Sequence, residues 1–372
     1  MKIISVFNNK GGVGKSTLSY HLGKALGTLS KKVLFVDLDP QCNLTINAIR
    51  ESELEKIWSE EDDFIDDYEG AFEHDGTKIK ELMSNPRSIH FLLKPVEDGL
   101  NDVEKLSPAI NLCENVYLVP GRLSLHKFEN RVSERWSGLY QNDNLSIRTV
   151  TSIRNICQRY AEKYDIDYVI VDTSPSLGIL NKTIISTVDG FIIPAQPDMF
   201  SLYGIRNIGT SLESWGREFG IIYSLISKDK RMKFPDKSVQ FLGYTLYNAK
   251  KYDGKNEYGL ADAHFSYAER IPSVIEKYIN PDNKINHKEI NNPIANNAVV
   301  HSHNTFPSVA QALKCAMWEV PDTYQSLKDK NPEYLKDQNI DNFNSGNNSK
   351  YKATLDAYQA FAKGLMERIE VL

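Results

Sequence analysis

The chain has 372 residues, 41% of them hydrophobic and 25% charged, with a formal net charge of −5. That is enough apolar material to bury the core of one large domain or two smaller ones, and no stretch approaches the roughly 20 apolar residues of a membrane span. The chain runs straight into a strand and its four cysteines (Cys42, Cys113, Cys157, Cys315) are scattered without a C-x-x-C pair, so we expect no signal peptide, no disulfide framework and no zinc site, and a cytoplasmic location.

The first predicted strand is the apolar run Ile3 to Phe7. It leads into KGGVGKST, Lys10 to Thr17, and then into a helix-like run, Leu18 to Leu26. Three glycines in four residues let the backbone fold tightly and turn its N–H groups toward one point. The following helix aims its positive end at the same point. That combination is a phosphate cradle built from Gly11, Gly12, Val13, Gly14, Lys15, Ser16 and Thr17. Lys15 adds a charge for β- and γ-phosphates, and the Ser16 hydroxyl suits a Mg²⁺ that bridges them.

The second strand, Lys32 to Asp37, ends in DLDPQCNLT. An acidic stretch follows, without clear periodicity until about Ile79. Glu114 to Pro120 reads as a third strand, and Ile147 to Lys163 as an amphipathic helix. Tyr168 to Val171 is a buried strand ending at Asp172, and Phe191 to Pro194 is another. Helical spacing from Ile205 to Ile226 suggests one long helix. Val239 to Asn248 reads as a strand, Gln338 to Lys350 as a loop or tether, and Tyr351 to Leu372 as a closing helix with one apolar face. Alternating strands and helices predict an α/β fold, a mainly parallel sheet with helices on both faces.

Charge is unevenly spread. Residues 51–75 hold twelve acids and one base, whereas Lys228 to Lys255 holds eight bases and three acids. Each is either a solvated loop or, together, an acidic insertion beside a polyanion-binding surface.

The general phosphate-loop pattern asks for glycine where Asn9 stands, and here a lysine, Lys10, precedes the glycine pair. KGGVGKST resembles the deviant Walker A motif of the ParA/MinD family of dimeric ATPases, most like the ParA-like, Soj-type partition ATPases that lack an N-terminal DNA-binding domain. The resemblance covers most of residues 1–50 and 112–275. It implies a P-loop NTPase three-layer fold, ATP and Mg²⁺ as cofactors, and a Lys10 that reaches the partner's nucleotide across a homodimer. DLDPQ resembles switch I, which places Asp39 against the attacking water and Asp37 nearer the metal shell or Lys15. Cys42 stands where the family commonly has glycine. YVIVDTSPSLG resembles Walker B with switch II, so Asp172 would hold Mg²⁺ through water while Pro175 and Ser176 respond to the γ-phosphate. By the same resemblance Asn248 and Pro272 border the adenine. The scattered cysteines argue against the iron–sulfur members.

These features imply an ATPase domain over 1–320 with an acidic insertion at about 48–80, and a C-terminal extension over 321–372. They imply slow, partner-stimulated ATP hydrolysis, with ATP joining two subunits that coat DNA nonspecifically in plasmid or chromosome partition. A ParB-like or other small activator is the expected partner. Arg217, Lys228, Lys230, Arg231 and Lys233 supply candidate DNA contacts, since phosphate attraction needs clustered bases. The alternatives are a MinD-like membrane or protein-positioning switch, an ATPase of a defence system, and a solitary metabolic ATPase. The closing helix balances acids and bases, whereas anionic membranes favour a basic polar face, so a docked helix is expected there.

Overall fold

The computed structural model describes residues 1–74, 76–235, 237–247, 249, 256–297, 305–340, 343 and 345–372. Its strands are β1 (Lys2–Val6), β2 (Val33–Asp37), β3 (Ile110–Cys113), β4 (Val116–Val119), β5 (Tyr168–Asp172), β6 (Gly190–Ala195) and β7 (Gln240–Leu246). They form one sheet in the order β3-β4-β2-β5-β1-β6-β7, parallel throughout except for the β3–β4 pair. The expected three-layer α/β fold with a mainly parallel sheet is what the chain adopts. The short edge strand β3 went unseen in the sequence because INLC carries no run of apolar residues, and only Ile110 is buried.

The helices up to the second half of the sheet are α1 (Lys15–Thr28), α2 (Asn43–Ala48), α3 (Glu51–Asp66), α4 (Tyr68–His74), α5 (Gly76–Leu82), α6 (Ile89–Glu97), α7 (Leu125–Arg135), α8 (Asn144–Tyr164) and α9 (Ile179–Thr187). After them come α10 (Met199–Leu225), α11 (Lys228–Arg231), α12 (Asp262–Ala268), α13 (Ile271–Tyr278), α14 (Phe306–Leu313), α15 (Val320–Lys330), α16 (Pro332–Asp337) and α17 (Asn348–Ile369). Strand residues alternate between two cores, as the pleat requires. Ile3, Phe7, Leu34 and Val36 pack with α7, α8, α9, α10 and α13. Ile4, Val6, Val33 and Phe35 pack with α1, α2, α14 and α17.

The acidic stretch is helical, not a solvated loop. In α3, Leu54, Ile57, Glu61, Phe64 and Ile65 are buried, a helical stripe whose middle position is a carboxylate. That acid hid the periodicity. Glu61 accepts from the Ser88 amide at 2.7 Å, the Ser88 hydroxyl at 2.5 Å and Arg122 at 3.1 Å. A buried carboxylate is tolerable only with such partners. Neighbouring acids also find bases: Glu60 with Arg87 at 2.7 Å, Asp62 with Arg122, Asp63 with Lys78 at 3.1 Å, and Asp66 with Lys127 at 3.2 Å.

The closing helix docks on the chain's own core. Tyr358, Phe361 and Leu365 of α17 are buried with Leu18 and Leu22 of α1 and Leu242 of β7. Arg368 is buried too, and donates to the carbonyls of Leu242 at 2.9 Å and Glu289 at 2.7 Å. Among the described residues no helix is long and apolar enough to cross a membrane.

Candidate nucleotide site

The site lies at the carboxyl ends of β1, β2 and β5, where a parallel sheet opens a crevice. The loop after β1 turns through Gly12 and Gly14, at φ 72° and 79°, before α1 begins at Lys15. Left-handed backbone favours glycine. Gly14 has a second reason: a Cβ there would fall 2.3 Å from a ring carbon of Tyr247, just beyond β7. Lys15 is buried, and its ammonium donates to the Lys10 carbonyl at 3.3 Å. Burial pulls its pKa down, while the Asp172 and Asp39 carboxylates pull it back up. Gly11 and Val13 complete the loop, and Ser16 and Thr17 fall in the first turn of α1, where their amides lack intrahelical partners.

Three carboxylates face this loop from neighbouring strand ends. Asp37 and Asp172 are register partners at the ends of β2 and β5. Asp37 is saturated: one oxygen accepts from the Thr45 amide at 2.8 Å and hydroxyl at 2.7 Å, the other from the Asp39 amide at 3.2 Å. Asp172 is not. Its Oδ1 accepts from Ser19 at 3.3 Å, while its buried Oδ2, with Ser16 alongside, makes no hydrogen bond of normal geometry among the described residues. Burial raises the pKa of both; the Asp39 charge raises Asp37 further, and the Asp37 and Asp39 charges raise Asp172 further. An unsatisfied buried acid beside a hydroxyl and a phosphate cradle fits a hard divalent cation such as Mg²⁺. On this ground Asp172 and Ser16 suit the metal better than Asp37. Asp39 is buried, and its Oδ1 accepts from the Gln41 amide at 2.9 Å, which fixes the switch I turn. Cys42 takes the left-handed conformation (φ 54°), a region that favours glycine.

Lys10 is held by its own chain. Its ammonium donates to Gln196 Oε1 at 3.0 Å, pairs with Asp198 and lies 5.7 Å from the Phe200 ring centre. Asp198 also caps α10, accepting from the Ser201 amide at 2.9 Å. Beside Lys10 the first turns of α10 leave Met199, Phe200 and Tyr203 exposed by 47%, 64% and 56%.

The other predicted residues are more dispersed. Asn248 lies outside the described residues. Pro272 is in the first turn of α13, which packs along α10 on the opposite sheet face from α1. Arg217, Lys228 and Lys233 are exposed. Lys230 donates to the Asn142 carbonyl at 2.8 Å, and Arg231 caps the end of α10 through the Ile226 and Ser224 carbonyls at 2.8 and 2.9 Å. Sequence reasoning missed Thr45, Gln196, Asp198 and Tyr247. Only Asp198 left a readable signal, an N-cap pattern Asp-x-x-Ser ahead of a long helix.

Comparison with known proteins places this geometry in a family. The AAA domain family model matches residues 1–219, more than half of the chain. The chain is 27% identical to the virulence plasmid ParA family protein pGP5-D of Chlamydia psittaci over 228 residues, 60% of this chain and 69% of that protein. It is 27% identical to the sporulation initiation inhibitor protein Soj of Bacillus subtilis over 208 residues, 56% of this chain and 63% of that one. Among solved structures, pNOB8 ParA bound to nonspecific DNA superposes with a TM-score of 0.52 at 16% identity, covering 99% of this chain and 98% of that one, a likeness of fold. The chain belongs to this AAA domain family and is an ATPase of the ParA/MinD type.

Proposed function

We propose that this chain is a slow, Mg²⁺-dependent ATP hydrolase whose ATP-bound form is a homodimer that holds DNA nonspecifically. The observation that carries this reading is the convergence of Lys15, Asp39 and Asp172 on one glycine loop, with Lys10 beside an exposed apolar shelf. The loop amides and Lys15 bind the phosphates. Asp39 orients the attacking water or relays its proton. Ser16, with Asp172 through water, would hold the metal, which when bound would neutralise charge on the phosphate oxygens. Asp37, braced by Thr45, fixes the start of switch I. Among the described residues no strong base stands free in the site, which supports slow turnover and a partner protein that speeds it.

Lys10 and the shelf of Met199, Phe200 and Tyr203 support the dimer. Exposed apolar groups beside a charge that is partly buried suit a surface that is covered in one state and bare in another. The exposed bases Arg217, Lys228 and Lys233 support the DNA contact, and plasmid or chromosome partition is the process it serves, in the cytoplasm and on the nucleoid. We read 1–320 as the ATPase unit and 321–372 as a brace upon it. The docking of α17 disfavours a membrane switch, because its apolar face already lies in the core.

Phosphate release and nucleotide binding test this reading together. Lys15→Ala is expected to lose ATP binding. Asp39→Ala is expected to keep it while turnover falls by about a hundredfold, the scale of a lost water-orienting group. Equal phosphate release by wild type and Asp39→Ala overturns the role given to Asp39.

A further inference from the structure

Between Asp172 and α9 the chain runs through Thr173 to Gly178 without regular structure. Such a segment needs partners for its backbone. At its start the Thr173 hydroxyl donates to the Val6 carbonyl of β1 at 3.1 Å. Its middle is held by one side chain. Asn181, fully buried in the first turn of α9, donates from Nδ2 to the Ser174 carbonyl at 2.8 Å and to the Ser176 carbonyl at 2.7 Å. The two serine hydroxyls lie 3.2 and 3.1 Å from the same nitrogen and 3.1 Å from one another. Pro175, between the two clamped carbonyls, lies over the phosphate loop, 3.9 Å from where a Cβ on Gly11 would sit.

An amide nitrogen has two protons, and both are used here. The flipped amide would set its oxygen against two carbonyls, so the network decides the orientation. The oxygen itself, Oδ1, is buried and has no partner among the described residues. A buried acceptor left unpaired is unfavourable. Half of this amide therefore stabilises the observed arrangement and half penalises it. An arrangement that turned the Ser174 or Ser176 hydroxyl toward Oδ1 would satisfy that acceptor. The side chain thus favours either of two settings of a segment that touches the phosphate loop, which is the property of a bistable element. The anchor is firm, because α9 is held in turn by Glu129 of α7, which accepts from the Leu180 amide at 3.3 Å.

We propose that Asn181 is a positioning residue for ATP hydrolysis, a two-carbonyl clamp that sets Ser174 to Ser176 against the phosphate loop. This rests on the ATPase reading above. A purely structural amide would change stability alone. A clamp on the segment that meets the phosphates changes turnover more than nucleotide affinity.

The test compares the full chain with Asn181→Asp, Asn181→Leu and Asn181→Thr, the last keeping one donor. Three quantities are read: affinity for a fluorescent ATP analogue, phosphate release under saturating ATP, and hydrogen exchange of the peptide covering 173–178 without nucleotide. Misplacing a reacting geometry by a fraction of an ångström supports an expected loss of about tenfold or more in kcat for Asp and Leu, with affinity within about threefold. Exchange of the 173–178 peptide is expected to quicken in the same variants, with Thr intermediate in both. Wild-type turnover and exchange in the variants overturns the proposal. So does a parallel loss of affinity, turnover and melting temperature, which marks a structural role. If Asp and Leu do not fold, the Thr variant decides. Absence of ATP binding by the wild type sinks the ATPase reading and the catalytic role with it, whereas the exchange data report on the clamp separately.

Discussion

The two acids at the ends of β2 and β5 sit side by side in the sheet, fully buried. Neither is open to solvent, and Asp172 feels the charges of Asp37 and Asp39 while Asp37 feels that of Asp39. Burial first, then this proximity, pushes Asp37 up to about 7 and Asp172 up to about 8, far above an exposed carboxyl. The sign of the consequence follows from linkage. Between an unfolded value near 4 and these folded values, the folded chain binds more protons than the unfolded one, so stability falls as pH rises. The metal-free protein is expected to melt at a lower temperature at pH 8 than at pH 6. The slope is at most about 1.4 kcal/mol per pH unit for each proton retained. Asp172→Asn removes one of the two groups and is expected to flatten the profile. Melting scans across that range decide it, and an unchanged slope in Asp172→Asn contradicts the assignment.

At the scale of the element, α3 carries the clearest lesson. Its acids are structural partners for Arg87, Arg122, Lys78 and Lys127, and Arg122 also donates to the Trp58 carbonyl at 2.9 Å. Trp58 in turn donates to the Gly121 carbonyl at 3.0 Å, and the Gly121 amide donates to Thr45, the partner of Asp37. The acidic helix thus braces the Asp37 side of the site. Glu61→Ala leaves Arg122 with Asp62 as its remaining carboxylate and the buried Ser88 amide without its acceptor, and we expect a loss of about 1–3 kcal/mol in stability by denaturant unfolding. A loss under about 1 kcal/mol would show the pair to be dispensable. Deleting 51–75 is no test of charge, because it also strips Leu54, Ile57, Phe64 and Ile65 from the core.

The same helix shows why part of the architecture was hidden. Strands β1, β2, β4, β5 and β6 were legible because buried parallel strands are largely apolar runs, and β7 was legible despite its Gly243 and Thr245. The long α8, α10 and α17 were legible because their apolar residues repeat at helical spacing over many turns. In α3 a buried carboxylate breaks that spacing, and its partners, Ser88 and Arg122, are far away in the chain. The phosphate loop and the acids of the second and fifth strands were legible for a different reason: each is local, a strand end followed by a turn. Lys10's in-chain partners Gln196 and Asp198, and Tyr247 against Gly14, are contacts made only by the folded sheet. No spacing in the sequence encodes them.

At the scale of the whole molecule, we propose a surface that changes with nucleotide. Counterion release makes DNA affinity grow with the number of phosphates neutralised, so a dimer that pairs two modest basic patches binds where one subunit does not. Charge reversal at Lys228 and Lys233, which are exposed, is the cleaner variant. Reversal at Lys230 or Arg231 would also break their bonds to backbone carbonyls. The expected result is ATP-dependent retention of DNA that falls steeply with salt and weakens in Lys228→Glu/Lys233→Glu with unchanged ATP affinity. Gel retardation at two salt concentrations reads it, and binding that ignores both salt and these charges contradicts it.

In the proposed cycle dimerisation comes first, and it would require Lys10 to leave Asp198 and Gln196 for a second nucleotide. The most direct measurement is the molar mass by light scattering of Asp39→Ala, blocked in hydrolysis, with ATP and with ADP. The account predicts a dimer with ATP, a monomer with ADP, and a shift back toward monomer when Lys10→Ala is added. A monomer in both nucleotides, or a dimer as stable with Lys10→Ala as without it, would contradict the account.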